Sequence, residues 1–261
     1  MQLLLLRVFK ALQKEIIRGI SKKPLNTNSK GQTTRFFDRY CEDEIISSIR
    51  QRVKVKTIII SEELKSNLVL NKSLDTQVQY IIIDPVDGSD NYIANVPFVC
   101  MGVAVFDAAF VPLYSFTGNY YTGDYLYADR DKMILNGKLY QRPAPTGKKT
   151  ALFTISGLKK REWRKAEKLK NVFDTVRSLG ATIGEIMMVI KGDATAFADI
   201  RGRLTLENFA PFFLMSGYAG LIMTDKKGRK INIRGLSLAK GYDVLVSREK
   251  EIHKKLVRIF Q

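Results

Sequence analysis

A run of apolar residues that ends in a cluster of acids most constrains how this chain can fold. Residues 79–84 read QYIIID, and the chain continues with PVDGSDN up to Asn91. An isoleucine-rich run of this length, closed by turn residues, is typical of a buried strand. Pro85 fixes one backbone angle and Gly88 permits a tight turn, so we expect a rigid loop at the end of a central strand.

Helical and strand-like periodicities extend over the whole chain. Helices are predicted at residues 3–20, 38–52, 158–176, 183–191, 205–218 and 248–260. Strands are predicted at residues 57–61, 79–84, 98–106, 124–128, 150–156, 194–200, 220–224 and 243–247. Long strands in the first half and strand–helix alternation in the second favour a layered α/β protein. We expect an N-terminal α+β half at 1–145, a C-terminal α/β half at 146–261, and a mobile loop at 22–32.

Histidine and cysteine are too scarce to carry much chemistry. Among 261 residues there is one histidine, His253, and there are two cysteines, Cys41 and Cys100. The sequence therefore excludes a histidine pair, a four-cysteine zinc site and a disulfide framework. An enzyme built from it must use carboxylates, hydroxyls, lysines or a hard cation. Oxygen ligands favour magnesium, manganese or calcium over zinc or copper.

The net charge of +17 results from 43 Lys and Arg against 26 Asp and Glu. Basic residues are densest between Lys159 and Arg177, in a segment that also has apolar residues at helical spacing. We interpret this segment as an amphipathic helix with a solvated basic face. Attraction for anionic substrates or nucleic acid is the alternative that the charge leaves open.

The opening MQLLLLRVFKALQKEII is interpreted as an amphipathic first helix rather than a signal peptide. Its apolar run, Leu3–Leu6, has no basic residue ahead of it, and Arg7 and Lys10 interrupt the continuation. No apolar run approaches the roughly 20 residues of a membrane helix. We therefore expect a cytoplasmic protein.

The acids of the central loop predict a cation site. Asp84, Asp87 and Asp90 would repel one another unless a positive charge lies between them. Two of them, with a backbone carbonyl, would offer the oxygen ligands that a small hard cation prefers. A surface turn rich in Asp and Gly is the plain alternative. The spacing fits poorly to an EF-hand loop, which needs glycine in sixth position, and to the haloacid dehalogenase motif, which separates its two aspartates by one residue.

A second acidic pair follows another strand-like run. Residues 57–61 read TIIIS and lead into Glu62 and Glu63. Two short apolar strands that both end in carboxylates are expected to be neighbours in one sheet, with their ends pooled. An ordinary helix start is the alternative, because serine followed by two glutamates is typical of one.

The loop DPVDGSDN resembles the signature D-P-[ILV]-D-G-[TS]-x-N of the inositol monophosphatase-like, metal-dependent, lithium-inhibitable phosphatases. Similar segments are TTRFFDRYCEDEI (33–45), RSLGATIGEI (177–186) and DIRGRLTLENFAPFFLMSGYAG (199–220). The length and the short early loop look most like the archaeal members, which often hydrolyse both inositol monophosphate and fructose 1,6-bisphosphate. The resemblance implies the alternating α-β-α-β-α layers of the sugar phosphatase fold, and a homodimer.

The resemblance also implies which residues form the site. One Mg²⁺ would be held by Glu62, Asp84 and the Val86 carbonyl, and a second by Asp84, Asp87 and Glu207; the family uses two or three ions, and Mn²⁺ is an alternative. Asp38 and Ser89, together with Glu62, would orient and deprotonate the attacking water. Substrate contacts would come from Gly88, Ser89, Asp90, Asn91, Gly180, Ala181, Thr182, Glu185 and Arg201.

Two departures from the family pattern bear on this site. The late Trp-Asp of the family is Leu206–Glu207 here, so the side chain that carries the carboxylate is one methylene longer. The alternative is that Glu207 is an ordinary acid at a helix N-terminus. Pro211 stands where the family has a small residue and would kink the start of that helix. Asp38 has a comparable alternative as a helix cap.

These residues predict a Mg²⁺-dependent phosphatase that hydrolyses a small phosphate monoester with a metal-activated water. Inositol monophosphatase and fructose bisphosphatase activities are both expected, and a nucleotide or dinucleotide phosphatase is a related alternative. The alternative from another class is a non-catalytic anion- or nucleic-acid-binding protein with a vestigial metal site. The sequence supports this alternative with neither a recognisable RNA-binding aromatic signature nor a recognisable DNA-reading helix.

Overall fold

The chain folds into two β-sheets that alternate with three layers of helices. The computed structural model describes residues 1–27, 31, 33–64, 66–71, 77–144, 147–233 and 240–261. Within these residues, the larger sheet has eight strands, the smaller has five, and a two-stranded ribbon lies apart from both. This order of layers is the α-β-α-β-α arrangement that the family resemblance implies.

The first layer consists of α1 (Gln2–Arg18) and α2 (Phe36–Arg52). α1 buries one apolar stripe, which includes Phe9, Leu12 and Ile16, as expected for an amphipathic helix. The stripe packs on the large sheet in one continuous apolar cluster with α2.

The ribbon between these helices corrects part of the sequence interpretation. Its strands β1 (Pro24–Thr27) and β2 (Thr33–Arg35) pair antiparallel. Pro24–Thr27 is therefore a strand rather than part of a loop over 22–32. Residues 28–30 and 32 of that stretch lie outside the described residues.

The large sheet brings the two acid-bearing strands together. Its strands are β3 (Lys56–Ser61), β4 (Leu68–Leu70), β5 (Val78–Asp87), β6 (Cys100–Asp107), β7 (Pro112–Asn119), β8 (Tyr125–Ala128), β9 (Met133–Leu135) and β10 (Lys138–Leu139). Their spatial order is β10-β9-β8-β7-β6-β5-β3-β4. β3 runs parallel to β5, which confirms that the two strands are neighbours.

β5 continues beyond the point where the sequence places its end. The strand extends through Asp84 to Asp87, and its register against β6 is irregular between these two residues. Gly88 follows with a left-handed backbone (φ +95°), and the short helix α3 (Ser89–Ile93) begins next. The expected rigid loop is therefore a bulged strand end followed by a single turn.

The small sheet forms the second half of the core. Its strands are β11 (Thr150–Phe153), β12 (Thr175–Arg177), β13 (Ala196–Leu204), β14 (Ile222–Thr224) and β15 (Tyr242–Ser247), in the spatial order β12-β11-β13-β15-β14. The helices α5 (Thr182–Lys191) and α6 (Phe212–Ala219) fill the layer between the two sheets. α4 (Lys160–Ala166) and α7 (Lys250–Phe260) cover the outer face of the small sheet.

The prediction of one long basic helix over 158–176 is wrong. α4 ends at Ala166, a 3₁₀ turn covers Glu167–Asn171, and Thr175–Arg177 pairs with β11 as a strand. No residue of α4 is buried, so packing does not extend that helix. The β-branched pair Thr175 and Val176 suits a strand at the sheet edge.

The predicted helix over 205–218 is also divided. Leu206–Asn208 forms a 3₁₀ turn, and α6 begins only at Phe212. Pro211 is the N-cap of α6 and does not kink it, because proline needs no backbone donor at a helix start.

His253 and the cysteines serve the core. The His253 ring lies between Thr224 Oγ1 (2.8 Å) and Ser247 Oγ (3.0 Å), which ties α7 to the small sheet. Burial lowers the pKa of His253 to about 4, so the ring is neutral at pH 7. Cys41 and Cys100 are buried free thiols.

Among the described residues, no helix has the length and apolar character that would carry it across a membrane.

Candidate active site

A pocket of about 760 Å³ opens where the ends of β3 and β5 meet α2, α5 and β13. Both halves of the chain contribute to its walls. The predicted site residues that line it are Asp38, Glu62, Val86, Asp87, Gly88, Ser89, Asp90, Asn91, Gly180, Thr182, Glu185 and Arg201. The structure therefore brings most of the predicted site together.

The remaining predicted residues, Asp84, Ala181 and Glu207, are buried outside this lining. Asn208 Nδ2 donates to Asp84 Oδ2 at 2.6 Å, and Asn208 itself lines the pocket. At this wall a neutral amide, rather than the neighbouring Glu207 carboxylate, borders the pocket.

Gly88 is required by close packing beneath the strand end. A Cβ added to it would lie 3.0 Å from the Phe98 carbonyl oxygen and 3.1 Å from the Ala181 Cβ. Its positive φ adds a second reason for glycine. The backbone of Gly88 can thus lie directly against the start of α5.

Ser89 and Asp38 form the hydrogen bond at the centre of the site. Ser89 Oγ lies 2.8 Å from Asp38 Oδ1 and 2.9 Å from the Val86 carbonyl oxygen, and has one hydrogen to donate. Asp38 Oδ2 accepts the backbone N–H of Arg35 at 3.0 Å, so Asp38 also caps α2. Burial raises the pKa of Asp38 to about 6. One oxygen of Asp38 therefore caps the helix and the other faces Ser89, while its catalytic role stays a prediction.

Asp87 is the most strongly perturbed acid of the pocket. Burial, followed by the negative charges of Glu185 and Glu62, raises its pKa to about 8. The backbone N–H of Ile183 donates to Asp87 Oδ2 at 2.5 Å and opposes that shift. This hydrogen bond joins the end of β5 to the first turn of α5.

Two further acids have raised pKa values. Burial raises the pKa of Glu63 to about 7, although the Thr34 hydroxyl donates to its carboxylate. Burial raises the pKa of Glu185 to about 7, although Leu179 N–H donates to its Oε1 at 2.8 Å. Several desolvated acids around one pocket create a negative potential that a cation would relieve.

The donor set suits a hard cation. Carboxylate oxygens and the Val86 carbonyl surround the pocket, and neither histidine nor cysteine lines it. In the described ranges, no three acidic, histidine or cysteine side chains are close enough together to enclose an ion. Asp84, Asp87 and Glu63 each accept a hydrogen bond from the protein. A bound ion would have to replace some of these bonds.

Asn91 fixes the pocket floor from within. Its Nδ2 donates to the carbonyl oxygens of Phe98 (2.8 Å) and Leu179 (2.7 Å). Its side chain lies 3.1 Å from where a Cβ on Gly180 would be, at a positive φ of +78°. Asn91 thus joins the α3 turn to the segment that leads into α5.

Arg201 is held rigidly at the opposite wall. Its Nε and Nη2 bind the fully buried Asp199 carboxylate at 3.0 and 2.5 Å, and its Nη1 donates to the Ser156 carbonyl oxygen at 3.1 Å. Arg203 lies two residues further along β13, is exposed, and lines the same pocket. Two guanidinium groups therefore border the pocket opposite the acids.

Sequence reasoning missed a number of lining residues. They are Thr33, Arg35, Ile93, Thr154, Ser156, Arg203, Leu204, Thr205 and Asn208; Glu63, which the sequence pairs with Glu62, lines the pocket as well. Of the missed residues, Arg203 had a signal, because it follows Arg201 at strand spacing. The others are ordinary residues that only the folded backbone brings to the pocket.

The sequence matches the inositol monophosphatase family over residues 5–261. The chain belongs to the inositol monophosphatase family. The fructose-1,6-bisphosphatase/inositol-1-monophosphatase of Methanocaldococcus jannaschii is 27% identical over 250 residues, covering 94% of this chain and 93% of the relative. The crystal structure of an inositol monophosphatase–fructose 1,6-bisphosphatase superimposes with a TM-score of 0.79 at 25% identity, over 97% of this chain and 96% of that one.

The family relationship settles the class of protein. Staphylococcal inositol monophosphatase-1, solved as a LiCl inhibitory complex, has the same fold, with a TM-score of 0.75 at 18% identity over 97% of this chain and 89% of that one. The inositol monophosphatase family consists of metal-dependent phosphatases, and this chain is a phosphatase of that family. The family resemblance, the fold and the enzyme class predicted from the sequence are confirmed. The non-catalytic alternative is set aside.

Proposed function

We propose that this phosphatase uses Mg²⁺ to hydrolyse a small phosphorylated sugar or polyol, with inositol monophosphate and fructose 1,6-bisphosphate as substrates. The hydrogen bond of Ser89 to Asp38 is the observation that carries the proposal. It joins a hydroxyl to a carboxylate of near-neutral pKa in a pocket that Glu62 and Asp87 also line. The names of the archaeal relatives support both substrates.

We propose Mg²⁺ as the ion, with Mn²⁺ as a substitute. Glu62, Asp84 and the Val86 carbonyl would hold one ion, and Asp84, Asp87 and Glu207 a second. When bound, such cations neutralise phosphoryl charge and lower the pKa of a bound water. Support comes from the raised pKa of Asp87, which reflects burial close to other negative groups.

Asp38 and Ser89 are proposed to move the proton of the attacking water. A carboxyl with a pKa of about 6 is ionised at neutral pH and matched to accept a proton there. The water proton passes to Asp38 by way of Ser89. The water oxygen bonds to phosphorus, the bond from phosphorus to the ester oxygen breaks, and the leaving alkoxide takes up a proton from solvent.

The phosphate group is proposed to bind the backbone N–H groups of Gly88, Ser89 and Asp90. α3 has five residues, so its dipole adds little and the directed donors dominate. Arg201 and Arg203 would bind a second anionic group at the far wall, which favours a bisphosphate over a monophosphate. The other pocket contacts predicted from the sequence remain proposals of the same kind.

The halves of the chain and its assembly are proposed on family grounds. Residues 1–145 would supply most metal ligands, and residues 146–261 would complete the site with Glu207 and the sugar pocket. The large sheet lies within 56–139 and the small sheet within 150–247. A cytoplasmic homodimer is proposed as well, and light scattering of the purified protein tests its mass.

Phosphate release from a substrate panel tests the function. Inositol 1-phosphate, fructose 1,6-bisphosphate, a 3′-phosphorylated nucleotide and NADP would be assayed with Mg²⁺ and with Mn²⁺. We expect hydrolysis of the first two, and a fall in kcat of about 10²-fold or more for Ser89→Ala. Ser47→Ala, an exposed serine on α2, is the matched control. Wild-type protein that is silent on the whole panel with both ions would overturn the proposal.

A further inference from the structure

An ion pair with a buried acid and a partly exposed arginine lies beside the strand end that carries Glu62. Arg39 Nη1 lies 2.6 Å from Glu42 Oε2, one helical turn apart on α2. Glu42 is fully buried, and neither residue lines the pocket. The pair is therefore placed for a structural or positioning task rather than for substrate contact.

The same guanidinium also holds the backbone that follows β3. Arg39 Nη2 donates to the Glu63 carbonyl oxygen at 3.0 Å. On the other side of this segment, the Thr34 hydroxyl donates to the Glu63 carboxylate. Arg39 thus bridges a buried acid of α2 and the chain immediately after Glu62.

Stability alone is a poor explanation for a charge at position 42. Burial raises the pKa of Glu42, and Arg39 opposes that shift. Apolar residues of similar size often stabilise a core as well as a buried ion pair does. A planar guanidinium with donors in fixed directions instead gives a defined position to the groups it binds.

We propose that Arg39 and Glu42 are positioning residues. They would hold Glu62 and Glu63, here called the Glu62 segment, in the geometry required for cation binding. The inference rests on the proposed function. Asp38 precedes Arg39 in the chain and carries the hydrogen bond to Ser89. One turn of α2 therefore fixes the distance between the water-activating pair and the Glu62 segment.

The test separates positioning from stability. Arg39→Met/Glu42→Leu replaces the pair by apolar side chains, and its thermal midpoint is expected to stay close to that of the wild type. Its dissociation constant for Mg²⁺, measured by calorimetry, is expected to rise about tenfold. Glu15→Leu/Arg18→Met changes an exposed ion pair of the same spacing on α1 and is expected to leave Mg²⁺ binding unchanged.

Mg²⁺ binding by a single-residue variant and amide hydrogen exchange complete the test. Arg39→Lys keeps a cation near Glu42 but loses the fork that reaches Glu63, so it should also weaken Mg²⁺ binding even if the double variant fails to fold. In metal-free protein, hydrogen exchange of the Glu62 and Glu63 amides should accelerate in the Arg39 variants only.

The outcomes distinguish this inference from the proposed function. Wild-type affinity for Mg²⁺ in both Arg39 variants, with unchanged amide exchange, would overturn the inference and leave the proposed function intact. A wild-type protein that takes up no Mg²⁺ would count against the proposed function. In that case unchanged amide exchange would reject the positioning role as well.

Discussion

Asp87 is a residue whose placement opposes folding and favours ion binding. It is buried beside other acids, and its pKa is raised to about 8. Without a cation, the folded protein must either protonate Asp87 or keep a desolvated charge near Glu62 and Glu185. The site therefore destabilises the protein that contains it until positive charge arrives.

Asp87→Asn is expected to stabilise the metal-free protein while abolishing activity. A carboxyl whose pKa rises from 3.8 to about 8 on folding favours the folded state below pH 3.8, and this advantage is lost as the pH rises through about 8. Asparagine does not ionise, so it makes no pH-dependent contribution to the free energy of unfolding, and its side-chain oxygen can still accept the Ile183 N–H. In EDTA at pH 9, urea unfolding should show a gain on the order of 2 kcal/mol for the variant.

The control for this prediction is Asp90→Asn, which removes an exposed acid of the same turn. It should leave the free energy of unfolding unchanged within about 0.5 kcal/mol. At pH 5 the advantage of Asp87→Asn should shrink, because Asp87 is then protonated in the folded protein. An Asp87→Asn protein that is less stable than the wild type at pH 9 would refute the argument.

At the residue scale, the sequence predicted side chains that are close together along the chain. Asp84, Asp87 and Ser89 lie within six positions, so their pooling required only one turn. Asn208 and Arg39 gave no signal, because their contacts, with Asp84 and with the Glu63 carbonyl oxygen, join residues that are far apart in the chain. The contacts of such residues depend on tertiary packing that no local pattern encodes.

At the scale of the secondary-structure elements, the packing of α5 holds the residues of the site in place. Its first turn donates to Asp87, and its body lies tightly on the segment after α3. A Cβ on Gly184 would meet the Phe98 ring at 2.6 Å and Cys100 Sγ at 2.7 Å. The close approach of helix and strand thus requires a residue with no side chain.

Gly184→Ala is expected to lower both stability and activity, against the helix propensity of alanine. The added methyl group would displace α5 and lengthen the hydrogen bond from Ile183 to Asp87. We expect a loss of about 1–3 kcal/mol in the free energy of unfolding, as for other overpacked cores. The accompanying fall in kcat would be measured with a saturating concentration of the best substrate of the panel.

Gly217→Ala is the matched control, because this exposed glycine of α6 has no atom within 4 Å of an added Cβ. It should stabilise the protein by about 0.5–1 kcal/mol and leave kcat unchanged. If both variants behaved alike, the close contact of α5 would not matter for the site.

Elements with one clear periodicity were the ones that the sequence predicted. β3 and β5 each contain three consecutive isoleucines, and both strands were found. β7 was missed because it buries Ser115, Thr117 and Asn119 between β6 and β8, so its polar residues hide the strand. The segment 158–176 was wrongly predicted to be one helix, because the same apolar spacing fits a short helix, a turn and an edge strand.

At the scale of the whole molecule, the net charge is opposite in sign to the acids of the pocket. The chain carries a net charge of +17, yet the pocket is bordered by several desolvated acids. An anionic substrate is therefore attracted over long distance by the surface and repelled at short distance by the metal-free pocket. Bound cations would reverse only the short-range part, so the two contributions can be separated by salt.

We expect kcat/KM to fall as salt is added, more steeply for fructose 1,6-bisphosphate than for inositol 1-phosphate. Long-range attraction scales with substrate charge and is screened beyond about 10 Å at 0.1 M salt. Between roughly 0.05 and 0.5 M NaCl, at fixed Mg²⁺, the value of kcat/KM for the bisphosphate should fall about tenfold.

Replacing the exposed Lys160, Lys168 and Lys170 by glutamine should flatten both salt curves, because these residues act only through the overall electrostatic field. Arg203→Gln should instead raise KM for the bisphosphate at every salt concentration and leave inositol 1-phosphate unaffected. If the wild-type curves were flat, the basic surface would play no part in substrate capture, and the charge would have to serve another anionic partner.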